Sequence, residues 1–138
     1  MVACMSTTAF SIAYLSRLVQ NLGFGRIHNV TLNPTVSHPD VPAGETVIME
    51  VIDRSGQGLF FTASCFTIPG HGFIPYKYIE HADWAYLVKG RESDYKEYIV
   101  ICFRDRPAIT SHVGGRAAVG LTLLFMNIRR RIDIMQAN

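Results

Sequence analysis

Cysteine and histidine are the side chains here best suited to covalent or metal chemistry, and none of them is paired along the chain. The three cysteines, Cys4, Cys65 and Cys102, form no CxxC, and the five histidines, His28, His38, His71, His81 and His112, form no HxH or HxxxH. Such spacings matter because ligands close in sequence converge easily on one tetrahedral ion. Cys65, His71 and His81 are the trio that folding can still assemble into a metal site or a nucleophile–base pair. A nucleophilic cysteine needs its thiolate stabilised beside a base. Cys65 stands in aromatic, strand-like sequence, where desolvation opposes ionisation, so packing in the core is the stronger reading. No catalytic, cofactor-binding or metal-ligating residue is assigned, and no cofactor is expected.

Carboxylates give little more. Glu92, Asp94 and Asp105 fall in polar turns, where acidic residues serve turn geometry, and Glu80 and Asp83 stand near one another without a catalytic partner. Gly56-Gln57-Gly58 lacks the lysine and following helix of a phosphate loop. The expectation is that the protein is not an enzyme. The run Arg129-Arg130-Arg131, with Lys77, Lys89, Arg91 and Lys96, forms a candidate contact for an anionic surface. The competing and stronger reading makes the run the solvated end of a helix.

The totals narrow the partners. With 13 Lys and Arg against 11 Asp and Glu, the net charge is +2, too small to argue for nucleic acid. Hydrophobic residues make up 49% and charged residues only 17%. Such a thinly charged surface points to a protein partner or a homo-oligomer. The odd number of cysteines favours a reducing compartment. The first 16 residues carry no Lys or Arg, unlike the basic start of a secretory signal. The apolar run 117–126 is shorter than the about 20 residues of a membrane span. A cytoplasmic protein is expected, with peripheral membrane association as the alternative.

Periodicity places these residues. Thr7 to Leu22 predicts a helix, with Ile12, Leu15, Val19 and Leu22 as its apolar stripe and Ser6, Thr7 or Thr8 as its cap. Arg26 to Gly44 is a connector broken by prolines, in which Ile27, Val30 and Leu32 allow a short strand. Thr46–Ile52 and Gly58–Ser64 predict a hairpin around Asp53-Arg54-Ser55-Gly56. Further strands follow at Phe66–Ile68, Phe73–Pro75, Ile79–Lys89, Tyr95–Phe103 and Ala108–His112, with one helical turn or bend at Tyr76–Tyr78. Tyr76 is expected to pack its ring while its hydroxyl stays near water. Arg116 to Met135 predicts a long helix buried through Ala117, Leu121, Leu124, Ile128 and Ile132. Gly120 within it is expected to let the helix approach the sheet.

Three segments then carry a resemblance: Gly58-Leu59-Phe60-Phe61-Thr62, Phe73-Ile74-Pro75-Tyr76-Lys77-Tyr78-Ile79, and the closing helix. Together they resemble the pleckstrin-homology superfamily, in particular its bacterial PH-like and GRAM-type domains. The resemblance implies an α+β fold, a seven-stranded bent antiparallel barrel or sandwich capped by the C-terminal helix. It covers residues 44–138 as a PH-like domain and leaves 1–43 as an added N-terminal helix and connector. Basic residues on the first hairpin bind phosphoinositides in some members, whereas this hairpin has only Arg54, beside Asp53. The expected function is therefore a non-catalytic protein-interaction or self-assembly module. The alternative is a peripheral domain binding anionic lipid, and a small enzyme with a Cys/His pocket ranks below both.

Overall fold

The turn at Asp53 fixes the register of the first sheet. In the computed structural model, which describes residues 10–84 and 98–137, one Asp53 carboxylate oxygen accepts the N–H groups of Ser55 and Gln57 at 2.9 and 3.0 Å and the Ser55 hydroxyl at 2.6 Å. An aspartate that folds its own backbone in this way makes a tight turn without help. Strand β2 (Met49–Ile52) consequently pairs antiparallel with β3 (Gly58–Phe61), Met49 opposite Phe61 and Ile52 opposite Gly58. On the outer side of β2 lies β1 (Val30–Leu32), and β4 (Cys65–Ile68) and β5 (Gly72–Pro75) complete a five-stranded sheet in sequence order. A second antiparallel sheet holds β6 (Ile79–Asp83), β7 (Ile99–Phe103) and β8 (Ile109–Ser111).

The fold is α+β, as expected, but the barrel does not close. Among the described residues there are two separate sheets and eight strands, not one bent sheet of seven. The break falls at Pro75, which has no N–H to continue a ladder. The chain leaves it through a 3-10 turn, Tyr76–Tyr78, foreseen as a helical turn or bend. On the opposite seam the sheets meet through single bonds, one from the Arg54 N–H to the His112 carbonyl at 2.8 Å. The outer parts of the strands expected at Ile79–Lys89 and Tyr95–Phe103 fall within 85–97, outside the described residues.

Helix α1 (Ile12–Asn21) starts later than its sequence suggests. Ser11 caps it, its hydroxyl accepting the Tyr14 N–H at 3.0 Å, and the expected caps Ser6, Thr7 and Thr8 lie outside the described residues. The preceding residue cannot join the helix, because the Phe10 N–H donates to the Ala63 carbonyl at 2.9 Å and anchors the chain to the sheet. Leu15 and Val19 are buried and Ile12 faces outward. A second 3-10 turn, Phe24–Arg26, then drives the Phe24 ring fully into the core.

Helix α2 (Gly115–Ala137) buries the five positions expected of it. Its Gly120 serves a different neighbour from the one foreseen. A Cβ there would stand 2.9 Å from the Phe24 ring, so the glycine admits that aromatic and not the sheet. With the Arg131 guanidinium over the Tyr14 ring at 5.3 Å, these contacts run α1 antiparallel beside α2. Phe125 of α2 meets Phe66 and Phe61, with ring centroids 4.9 and 6.1 Å apart. Each such buried aromatic contributes about 1.5–3 kcal/mol. The helices and both sheets thus share one apolar cluster.

Candidate binding surface on the C-terminal helix

A helix that buries one stripe normally turns a polar face to water. α2 does not. Val119, Leu123, Met126 and Ile134 remain 37%, 44%, 52% and 49% exposed, and their spacing sets them on one row, opposite Leu121, Leu124, Ile128 and Ile132. Single exposed aliphatics need no explanation, whereas a row of them is a candidate interaction surface.

Two cavities lie along that row. The first, about 520 Å³, is lined by Leu22, Arg26 and Ile27 after α1, by Trp84 beyond β6, and by Val119 and Leu123 of α2. The second, also about 520 Å³, is bounded by Glu80 and His81 of β6 and by Met126, Arg130, Asp133 and Ile134. Both are within the size range of binding pockets, and the first has the mostly apolar lining such pockets share.

Charge is divided in the same way. Residues 12–26 and 115–137, which carry both helices, hold six arginines and one acid, Asp133. The three arginines of the run have separate fates. Arg129 is structural: its side chain is only 11% exposed and bonds the Ile79 carbonyl at 2.9 Å, the Lys77 carbonyl at 3.3 Å and Asp133 at 2.7 Å. It takes up main-chain acceptors where β6 begins and is not the solvated cation expected of it. Arg131 stacks on Tyr14. Arg130 is exposed and, like Arg26 and Arg116, its guanidinium has no hydrogen bond or ion pair among the described residues. The Lys77 ammonium lies 5.2 Å from the centre of the Tyr78 ring. Lys89, Arg91 and Lys96 lie outside the described residues.

The Cys/His trio is dispersed. Cys65 is fully buried in β4, His71 is exposed beyond the end of that strand, and His81 is exposed on β6. Among the described residues no three His, Cys, Asp or Glu side chains stand close enough to hold a metal ion. Cys102 of β7 is half-buried.

The polar contacts around Cys65 fasten a turn. Glu45 accepts the hydroxyls of Thr62 and Ser64 at 2.7 and 2.6 Å, and the Thr62 oxygen accepts the Cys65 N–H at 3.1 Å. Tyr76 closes the group. Its hydroxyl is not near water but wholly buried, donating to the Thr62 carbonyl at 2.7 Å. Burial pushes its pKa well above the usual tyrosine value, with Cys65 and Glu45 adding to the effect. A further, polar mouth of about 410 Å³ lies where Asp53, Arg54 and His71 face Ser111 and His112 of the other sheet.

Sequence reasoning missed the outer row of α2. The signal was present, since the predicted helix contains more large apolar residues than one buried stripe can use. Among the described residues no helix is long and apolar enough to cross a membrane. Compared with known protein families, curated proteins and solved structures, this chain finds no match.

Proposed function

We propose that this chain is a non-catalytic interaction module of PH-like architecture that docks a segment of another protein on the outer face of α2. One observation carries the proposal: the exposed row Val119, Leu123, Met126 and Ile134, bordered by two cavities, on a helix whose other face is already fully used by the core. Helix-in-groove recognition uses apolar anchors at helical spacing. Arg129 argues against the other route, strand addition to β6, because its guanidinium occupies the Ile79 carbonyl and the helix shields that edge. The two antiparallel sheets and closing helix are compatible with the PH-like reading, which itself rests on the three sequence segments.

Affinity capture from lysate by the wild-type chain and by L123E, side by side, tests this function. Leu123 is 44% exposed, so the substitution leaves the core alone. Proteins retained by the wild type and lost by L123E support docking on α2. Equal retention by both places the activity elsewhere.

A second reading has its own observation. Arg17, Arg116 and Arg130 stand exposed on the helical side among outward aliphatics, a composition that suits an anionic membrane surface. Co-sedimentation with phosphatidylserine vesicles at low and high salt decides it. Salt-sensitive binding supports that reading, and its absence removes it.

A further inference from the structure

Resting on the reading of α2 as a docking surface, we infer that its occupant is an acidic amphipathic helix about four turns long, and not a second copy of this chain. Arg116 and Arg130 are 14 residues apart on α2, which is close to four full turns. They therefore project from the same row as Val119, Leu123, Met126 and Ile134, about 21 Å from each other. Neither makes an ion pair among the described residues, and Asp133, the sole acid of α2, is held by Arg129.

That arrangement works against self-association through this face. Leu123 is the midpoint between the two arginines. In a two-fold antiparallel pairing of α2 with its copy centred at Leu123, Arg116 meets Arg130 of the other molecule. A parallel pairing sets each arginine against itself. Like charges facing each other across a docking surface oppose association, and they specify a partner of opposite charge.

The apolar row specifies the rest. From Val119 to Ile134 it is about 22 Å long, and cavities flank it near both ends. A facing helix with apolar anchors at i, i+4, i+7, i+11 and i+14 covers most of that length, and carboxylates at its two ends reach Arg116 and Arg130. A flat anionic bilayer fits less well. It cannot fill two separate concave sites.

Selection tests this with the full chain immobilised against a display library of random peptides roughly sixteen residues long, four turns or more of helix. The expected winners have net negative charge and apolar residues at the stated helical spacing. The best of them, made synthetically, should bind L123E about thirtyfold more weakly, as expected when a carboxylate enters an apolar contact centre. R116E/R130E should lose about tenfold, and selection against that variant should return basic helices. Winners that depend on Leu123 but are basic or extended overturn the acidic helix and leave the docking surface standing. Winners indifferent to L123E overturn both. A wild-type dimer in light scattering that L123E dissolves puts a second copy on the face and overturns the inference. Binding to phosphatidylserine vesicles that R116E/R130E abolishes, with no peptide enriched, assigns the face to a membrane instead. No enrichment and no vesicle binding overturns the docking surface and its occupant together.

Discussion

The side-chain amide of Asn29 donates to the Val113 carbonyl at 2.7 Å and to the Ile52 carbonyl at 2.8 Å. One residue from the loop before β1 thereby joins the end of β2 to the residue two before α2. The two sheets are not continuous at this seam, so the amide does what a ladder bond does elsewhere. It also fixes where α2 starts, and hence the phase of the outer row on which the functional reading rests.

Asn29→Ala should strand both carbonyls in a partly buried site. Loss of such bonds costs about 1–3 kcal/mol. Urea denaturation should show that loss, and hydrogen exchange should show the first turn of α2 opening more often. An unchanged midpoint would mean that the seam holds without this clamp.

Gly120→Ala pits local propensity against packing. Alanine favours a helix over glycine by about 1 kcal/mol. Its methyl would meet the Phe24 ring at 2.9 and 3.0 Å, and crowding of a packed core costs about 1–3 kcal/mol. Phe24 is wholly buried and has little room to yield, so a net fall in Tm is expected. Pairing the change with F24L should recover most of it.

Of the adjacent pair Arg129 and Arg130, only Arg129 should matter for stability. Arg129→Ala removes its bonds to the Lys77 and Ile79 carbonyls and to Asp133, and should cost about 1–3 kcal/mol in denaturant. Arg129→Lys should not restore it, because an ammonium lacks the planar fork that spans these acceptors. Arg130→Ala should leave the unfolding midpoint within about 0.5 kcal/mol.

Tyr76 gives the protein an alkaline limit. In the unfolded chain a tyrosine ionises near pH 10, whereas burial holds the folded group well above that value. The folded state keeps a proton that the unfolded state releases. This contribution to stability is therefore whole below about pH 10 and is lost as pH rises past it. Tyr76→Phe should flatten the fall, and at neutral pH should cost about 1–3 kcal/mol for the unpaired Thr62 carbonyl. Denaturant midpoints for both proteins at pH 7 and about pH 11 separate the two effects.

Which parts of this arrangement were legible in sequence follows from how local their causes are. The Asp53–Gly56 hairpin, the turn at Tyr76–Tyr78 and the buried stripe of α2 were read correctly, because turn chemistry and helical period are written in adjacent residues. The start of α1 was not, since the Phe10 N–H is claimed by Ala63, more than fifty positions away. The roles of Gly120, Tyr76 and Arg129 were misread for the same reason: Phe24, Thr62 and Ile79 are distant in sequence. The single seven-stranded bent barrel or sandwich is instead two sheets: the turn at Pro75 is written locally, but its interruption of the ladder, and the seam at Arg54 and His112, are not. At the surface, one half of the candidate site was open to inspection, since surplus aliphatics in a helix can be counted. The cavity walls at Leu22 and Trp84 could be found only in three dimensions.

An amide NMR titration of the labelled chain with an acidic amphipathic peptide taken from the selection tests the central claim most directly. Docking on α2 predicts that the perturbed signals gather at Arg116, Val119, Leu123, Met126, Arg130 and Ile134, with the Trp84 indole among them. Perturbations gathered instead around Asp53, His71 and His112, at the polar mouth between the sheets, would contradict it.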